Sequence, residues 1–150
     1  MEVEKDFKEL LELFNANKVE YVIVGGYALA FHGAPRYTGD IDLLVKSEQD
    51  NAQKILNALK DFGFAALDLS INDFSSPEKV VQLGIPPVRI DIITSITGVT
   101  WEQIEPNRVK GTYSDVPVYY IGKQEFIINK KAISRHKDLA DIEALGEKTD

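Results

Sequence analysis

The sequence predicts an α/β (α+β) fold in which a mixed β-sheet is flanked by helices and followed by a C-terminal helical pair. Three observations predict it. Stretches with apolar residues at helical spacing alternate with short β-branched runs. Those runs are bounded by glycine, proline or acidic turn residues. The tail, Lys123 to Leu145, reads as two helices hinged near Ser134.

The elements follow in order. Val3 to Asn15 sets Phe7, Leu10, Leu11, Leu13 and Phe14 on helical spacing with Glu and Lys between them, and the helix ends over Asn15 to Lys18. Tyr21-Val22-Ile23-Val24 is a buried strand stopped by Gly25-Gly26, and Tyr27 to His32 is a short helix leaving that turn. Ile41 to Val45 is a second strand. Ser47 to Phe62 is an amphipathic helix with Ile55, Leu56 and Leu59 on one face. Val88 to Thr94 is a third strand after Pro86-Pro87, with Val80 to Leu83 pairing beside it as a hairpin. Val116 to Ile121 is a further strand after a turn at Ser114-Asp115. There is no internal repeat and no low-complexity stretch.

At 150 residues the chain fits one domain, expected to span 1–150 with a core over about 20–94 and a C-terminal strand and helices over 108–146. An apolar fraction of 44% suffices for a core. No apolar run reaches the length of a membrane span, the N-terminus is unlike a signal peptide, and the absence of cysteine excludes disulfides and thiolate metal sites. These features set a soluble cytoplasmic protein as the expectation. A net charge of −7 argues against general affinity for nucleic acid, yet it is compatible with carboxylates that hold cations.

Three features carry chemistry. Val24-Gly25-Gly26 closes a strand and opens a helix, where glycine lets a ligand approach the backbone and the first helical N–H groups favour an anion. Asp40-Ile41-Asp42 places two carboxylates on one strand face, with Cα atoms about 6.6 Å apart and Ile41 turned to the core. Two such charges about 5 Å apart repel by about 3 kcal/mol at an effective dielectric near 20, which a hard divalent cation relieves. Third, Asp91 is the one acid of an apolar strand, Arg89-Ile90-Asp91-Ile92-Ile93. If this strand runs beside Ile41 to Val45, Asp91 joins Asp40 and Asp42 in a three-carboxylate cluster. The plainer alternative is an ion pair between Arg89 and Asp91, which share a face.

Together, the glycine turn, the thirteen-residue spacer, Asp40-Ile41-Asp42-Leu43 and the later Asp91 resemble the DNA polymerase beta-like nucleotidyltransferase superfamily. Arg36-Tyr37-Thr38-Gly39 and the tail, Asn129-Lys130 and Arg135 to Ile142, are similar to its minimal and toxin-associated members. The resemblance implies the nucleotidyltransferase fold and transfer of a nucleoside monophosphate from a nucleoside triphosphate to an acceptor hydroxyl, with pyrophosphate leaving. It implies two Mg2+ (or Mn2+) ions held by Asp40, Asp42 and Asp91, with Asp91 drawing the acceptor's proton. Gly25, Gly26, Arg36, Thr38, Lys130 and Lys137 are the implied nucleotide-binding residues. The acceptor stays open among a small molecule, a protein and an RNA end. A catalytically silent nucleotide- or partner-binding module of a two-component, toxin–antitoxin-like system is the alternative, and a partner protein is possible under either.

The remaining polar and aromatic residues carry less. His32 reads as a capping or packing residue, His136 as solvated, and Ser75-Ser76 has no triad partners. Trp101 and Tyr119-Tyr120 read as packing rather than as base-stacking residues. Lys137 and Asp141 have the spacing of a surface i,i+4 pair.

Overall fold

The computed structural model of the chain describes residues 4–34, 38–63, 68–85 and 88–147. Its elements are α1 (Lys5–Ala16), β1 (Tyr21–Val24), α2 (Gly25–Phe31), β2 (Asp40–Val45), α3 (Gln49–Asp61) and α4 (Asn72–Ser75). There follow β3 (Val80–Ile85), β4 (Val88–Ile93), α5 (Trp101–Ile104), β5 (Val109–Tyr113), β6 (Val116–Tyr120), α6 (Lys123–Ile133) and α7 (His136–Ala144). The six strands form one mixed sheet in the order β3-β4-β2-β1-β6-β5. β2 runs parallel to β4 and β6 parallel to β1, while the other neighbours are antiparallel.

Strand alternation divides the chemistry between the two sheet faces. Tyr21, Ile23, Ile41, Leu43, Ile90 and Ile92 point to one face, and all are buried. There Phe14 of α1 meets Tyr21 edge-on at 5.6 Å between ring centres, and Phe7 meets Tyr27 of α2 at 6.0 Å. The spacing of Phe7, Leu10, Leu11 and Phe14 gives α1 one buried stripe, and Ala52, Ile55, Ala58 and Leu59 do the same for α3. Leu13 and Leu56, expected on those faces, are only partly buried at their edges. Asp40, Asp42 and Asp91 point to the opposite face, because they occupy the alternate positions.

Asn51, at the start of α3, is a buried polar residue with a structural reason. Its side chain accepts from the Glu20 amide at 2.8 Å and donates to the carbonyls of Glu20 and Lys46 at 3.0 and 2.9 Å. It thereby ties the entry of β1 to the exit of β2 and satisfies groups that burial would otherwise penalise.

The tail folds as the two expected helices. Ser134 sits between them in the left-handed region at φ 60°, which ends α6 and redirects the chain. Lys130 of α6 is buried, and its ammonium lies 3.3 Å from Asp138 and 3.5 Å from Asp141 of α7. Asp138 also accepts from the Arg135 backbone at 3.1 Å and from its guanidinium at 2.7 Å, so the N3 acid caps its own helix. A buried ammonium needs such partners, and this network docks α7 on α6.

The Arg135 contact, together with Lys130, holds the Asp138 carboxyl down to about 2, against burial that acts the other way. Because the folded value lies below the ordinary carboxylate value of 3.8, its contribution is complete at neutral pH and disappears as pH falls from about 4 to 2. Asp138→Asn is expected to destabilise the protein by about 3 kcal/mol at pH 7. Urea melts of both proteins should converge below about pH 2.

Candidate active site

The acid cluster follows from one pairing. β4 runs parallel to β2 in a register that sets Asp42 opposite Asp91 and Asp40 opposite Arg89. Paired residues share a face, so three carboxylates and one guanidinium stand together there. β1, on the other side of β2, sets Val24 opposite Asp42, which brings the Gly25-Gly26 turn beside the acids.

Each glycine of that turn answers to a particular side chain. Gly25 has φ +69°, and a Cβ there would overlap the Asp42 carboxylate. At Gly26 a Cβ would meet Thr38 Cβ at 2.9 Å. The pair thus clears space for Asp42 and Thr38, and α2 starts at the glycines themselves, two residues before the expected Tyr27, with no side-chain cap. Thr38 in turn donates from Oγ1 to the Asp40 carbonyl at 3.0 Å, which steadies the start of β2.

Arg89 answers the like charges. Its Nε donates to Asp91 Oδ1 at 2.8 Å and its terminal nitrogen to Oδ2 at 3.1 Å. That terminal nitrogen also lies 2.9 Å from Asp40 Oδ2. The Arg89–Asp91 pair and the acid cluster, alternatives on sequence grounds, therefore coexist. Among the described residues, Asp42 has no such contact with a cation, and it shares a hydrogen bond with Asp91. Burial first, then the Asp91 and Asp40 charges, push its carboxyl up to about 6, while Lys130 pulls it back.

The other implied residues are placed as follows. Lys130 acts on Asp42 through its charge, yet its ammonium is engaged by Asp138 and Asp141. Asp141, spaced for a pair with Lys137, faces Lys130, and Lys137 is exposed on α7. Arg36 lies outside the described residues. Asp138 was not identifiable from sequence as important; its sole signal is an acid three residues after Arg135. Trp101 is half-buried, donates to Glu105 at 2.6 Å, and borders a cleft of about 320 Å³ with Lys46, Glu48 and Glu102. None of the three acids lines that cleft. Tyr120 stacks on Phe31 at 4.0 Å as a packing residue, and Tyr119 carries the Arg108 guanidinium on its ring. His32 bonds the Ile121 carbonyl at 2.7 Å, in keeping with a packing role.

The donor set suits a hard divalent cation: three carboxylates on adjacent strands, two of them already bridged by a guanidinium. Among the described residues, no three potential ligands converge on one ion position as the side chains now stand. As they stand, Asp40 and Asp91 both contact Arg89.

The comparisons with known proteins agree with this architecture. The sequence profile of the family described as Aminoglycoside-2''-adenylyltransferase matches residues 6–134. Lincosamide antibiotic adenylyltransferase LnuA, in a lincomycin-bound crystal structure, superposes with a TM-score of 0.56 at 18% identity, covering 95% of this chain and 96% of its own. The antibiotic-resistance factor ANT(2'')-Ia gives a TM-score of 0.61 at 12% identity, covering 93% and 80%. A Thermotoga maritima protein described as a candidate nucleotidyltransferase gives 0.56 at 16% identity, covering 93% and 88%. At these identities the structural likeness establishes the nucleotidyltransferase fold. No curated protein sequence matches the chain. Among the described residues, no helix is long and apolar enough to cross a membrane.

The raised Asp42 carboxyl makes a testable statement about stability. A folded value above 3.8 means that the charged carboxylate costs stability, a cost absent below about pH 4 and complete above about pH 6. Asp42→Asn is therefore expected to stabilise the metal-free protein at pH 7 by at most about 3 kcal/mol, with the gain vanishing near pH 4. Thermal melts across that range check it.

Proposed function

We propose that this chain, which belongs to the aminoglycoside-2''-adenylyltransferase family, transfers the adenylyl group of ATP to a hydroxyl of a small cationic acceptor. The observation that carries the proposal is the parallel register that faces Asp42 with Asp91 beside Asp40, next to a glycine turn. In the reaction the acceptor oxygen bonds to the α-phosphorus, the bond from that phosphorus to the bridging oxygen breaks, and pyrophosphate leaves. Magnesium, held by Asp40, Asp42 and Asp91, would neutralise the phosphate charge and polarise the attacking and leaving oxygens when bound.

The chain's own residues supply position and proton transfer. The family resemblance assigns receipt of the acceptor's proton to Asp91, whose two oxygens accept from Arg89 in the free protein. Gly25 and Gly26 let Asp42 and Thr38 pack against the start of α2, whose first N–H groups favour the triphosphate, and the Lys130 charge acts on Asp42. Thr38 holds the start of β2, and with it Asp40. Little covalent chemistry falls to the protein, so alignment and charge neutralisation supply the rate. A net charge of −7 favours a cationic acceptor, such as an amino sugar, over a polyanion.

A thermal-shift panel of ATP, GTP, CTP and UTP with and without Mg2+ tests donor binding, and pyrophosphate release with aminoglycoside and lincosamide panels tests transfer. The expected outcome is stabilisation by ATP that requires Mg2+ and is lost in Asp40→Asn/Asp42→Asn. Turnover should fall on the order of a thousandfold in Asp42→Asn. No shift with any nucleotide at millimolar concentration would instead indicate a catalytically silent module.

A further inference from the structure

Arg89 stands at the centre of the acid cluster, yet no step of the proposed reaction uses it. Its guanidinium bonds both oxygens of Asp91, at 2.8 and 3.1 Å, and reaches Asp40 at 2.9 Å. The Arg89 side chain is 26% exposed, between Asp40 at 33% and Asp91 at 11%, so it sits at the depth of the acids it bridges and is reached by solvent. A structural ion pair needs one acid; this guanidinium spans two, on neighbouring strands, and does not reach Asp42. The two carboxylates it spans are two of the three available to a cation.

We propose that Arg89 is a resident counter-ion which a divalent cation must displace from Asp40 and Asp91, so that the empty cluster is stabilised and bare metal is held weakly. This rests on the assignment of the acids as metal ligands. The physical reason is exchange. Without Arg89, three carboxylates on adjacent strands repel, and that repulsion is the driving force for capturing a cation. With Arg89 present, much of the repulsion is already relieved, and a two-pronged charge-assisted contact has to be broken before a metal reaches the same oxygens. Arg89 is a positioning residue in this scheme: it sets the affinity of the site and takes no part in the bonds that change.

Mn2+ titration of the nucleotide-free protein by calorimetry, on wild type, Arg89→Gln, Arg89→Lys and Asp42→Asn, tests the proposal. Arg89→Gln is expected to bind Mn2+ about five- to tenfold more tightly than wild type, while its metal-free Tm falls and its Mn2+-induced Tm gain rises. Arg89→Lys keeps the charge but loses the two-pronged contact, and should bind with intermediate affinity. If Arg89→Gln does not fold, Arg89→Lys decides: tighter binding than wild type upholds the proposal, and equal or weaker binding overturns it. If Asp42→Asn loses Mn2+ while Arg89→Gln binds no more tightly than wild type, the metal site stands and the role of Arg89 is overturned. If Asp42→Asn and wild type bind Mn2+ alike, the acids are not its ligands and both assignments fall together.

Discussion

The parallel pairing of β2 with β4 sets like charges side by side, and much of the surrounding structure answers that electrostatic constraint. Asp42 and Asp91 are register partners, and Asp40 is two residues away on the same face. Side chains paired across neighbouring strands lie about 5 Å apart, close enough for like charges to oppose the pairing. The structure relieves this in three ways. Arg89 bridges two of the acids, Lys130 acts on the third from α6, and the missing side chain at Gly25 gives the Asp42 carboxylate room. An apolar cluster at the same place would need none of these. The arrangement sacrifices stability at one face of the sheet for a concentration of negative charge, the condition that the proposed metal-assisted transfer requires.

The opposite face supplies what the acid face gives up. Ile41, Leu43, Ile90 and Ile92 interleave with the acids along the same two strands and are buried beneath them. A strand can meet both demands because its side chains alternate with a period of two, so each carboxylate is flanked by residues anchored in the core. A slip of one residue between β2 and β4 would separate Asp42 from Asp91 and turn apolar residues outward. Core packing and site geometry are therefore maintained by the same register.

The C-terminal helical pair extends the charge balance away from the sheet. Lys130 is exposed too little to be solvated, and Asp138 and Asp141 neutralise it from α7. The charge that acts on Asp42 is thus held in place by a helix that itself carries none of the three acids. α7 has a small apolar contribution, with Ile142 its one fully buried aliphatic side chain, so ionic docking matters more for it than for α1 or α3.

Much of this was legible in the sequence. The glycine turn, the Asp-x-Asp strand, the lone acid in an apolar strand and the two tail helices are local patterns, and local patterns are set by backbone preference and by the period of the apolar residues. Three elements, α4, α5 and β5, were not legible for equally local reasons, α4 being a single turn of four residues. β5 is an edge strand whose Val109 and Lys110 are both exposed, so it lacks the alternation that marks a half-buried strand. α5 is a single short turn, capped by Thr100 and Gln103, too brief to show a helical period. The sequence by itself determined which residues carry charge and which faces they share within each strand, because alternation needs no partner. Only the tertiary structure decided that β4 lies beside β2, that Arg89 spans Asp40 and Asp91 together, and that Lys130 is claimed by Asp138. Those outcomes depend on which distant segments meet and in what register, which the packing of the whole core selects.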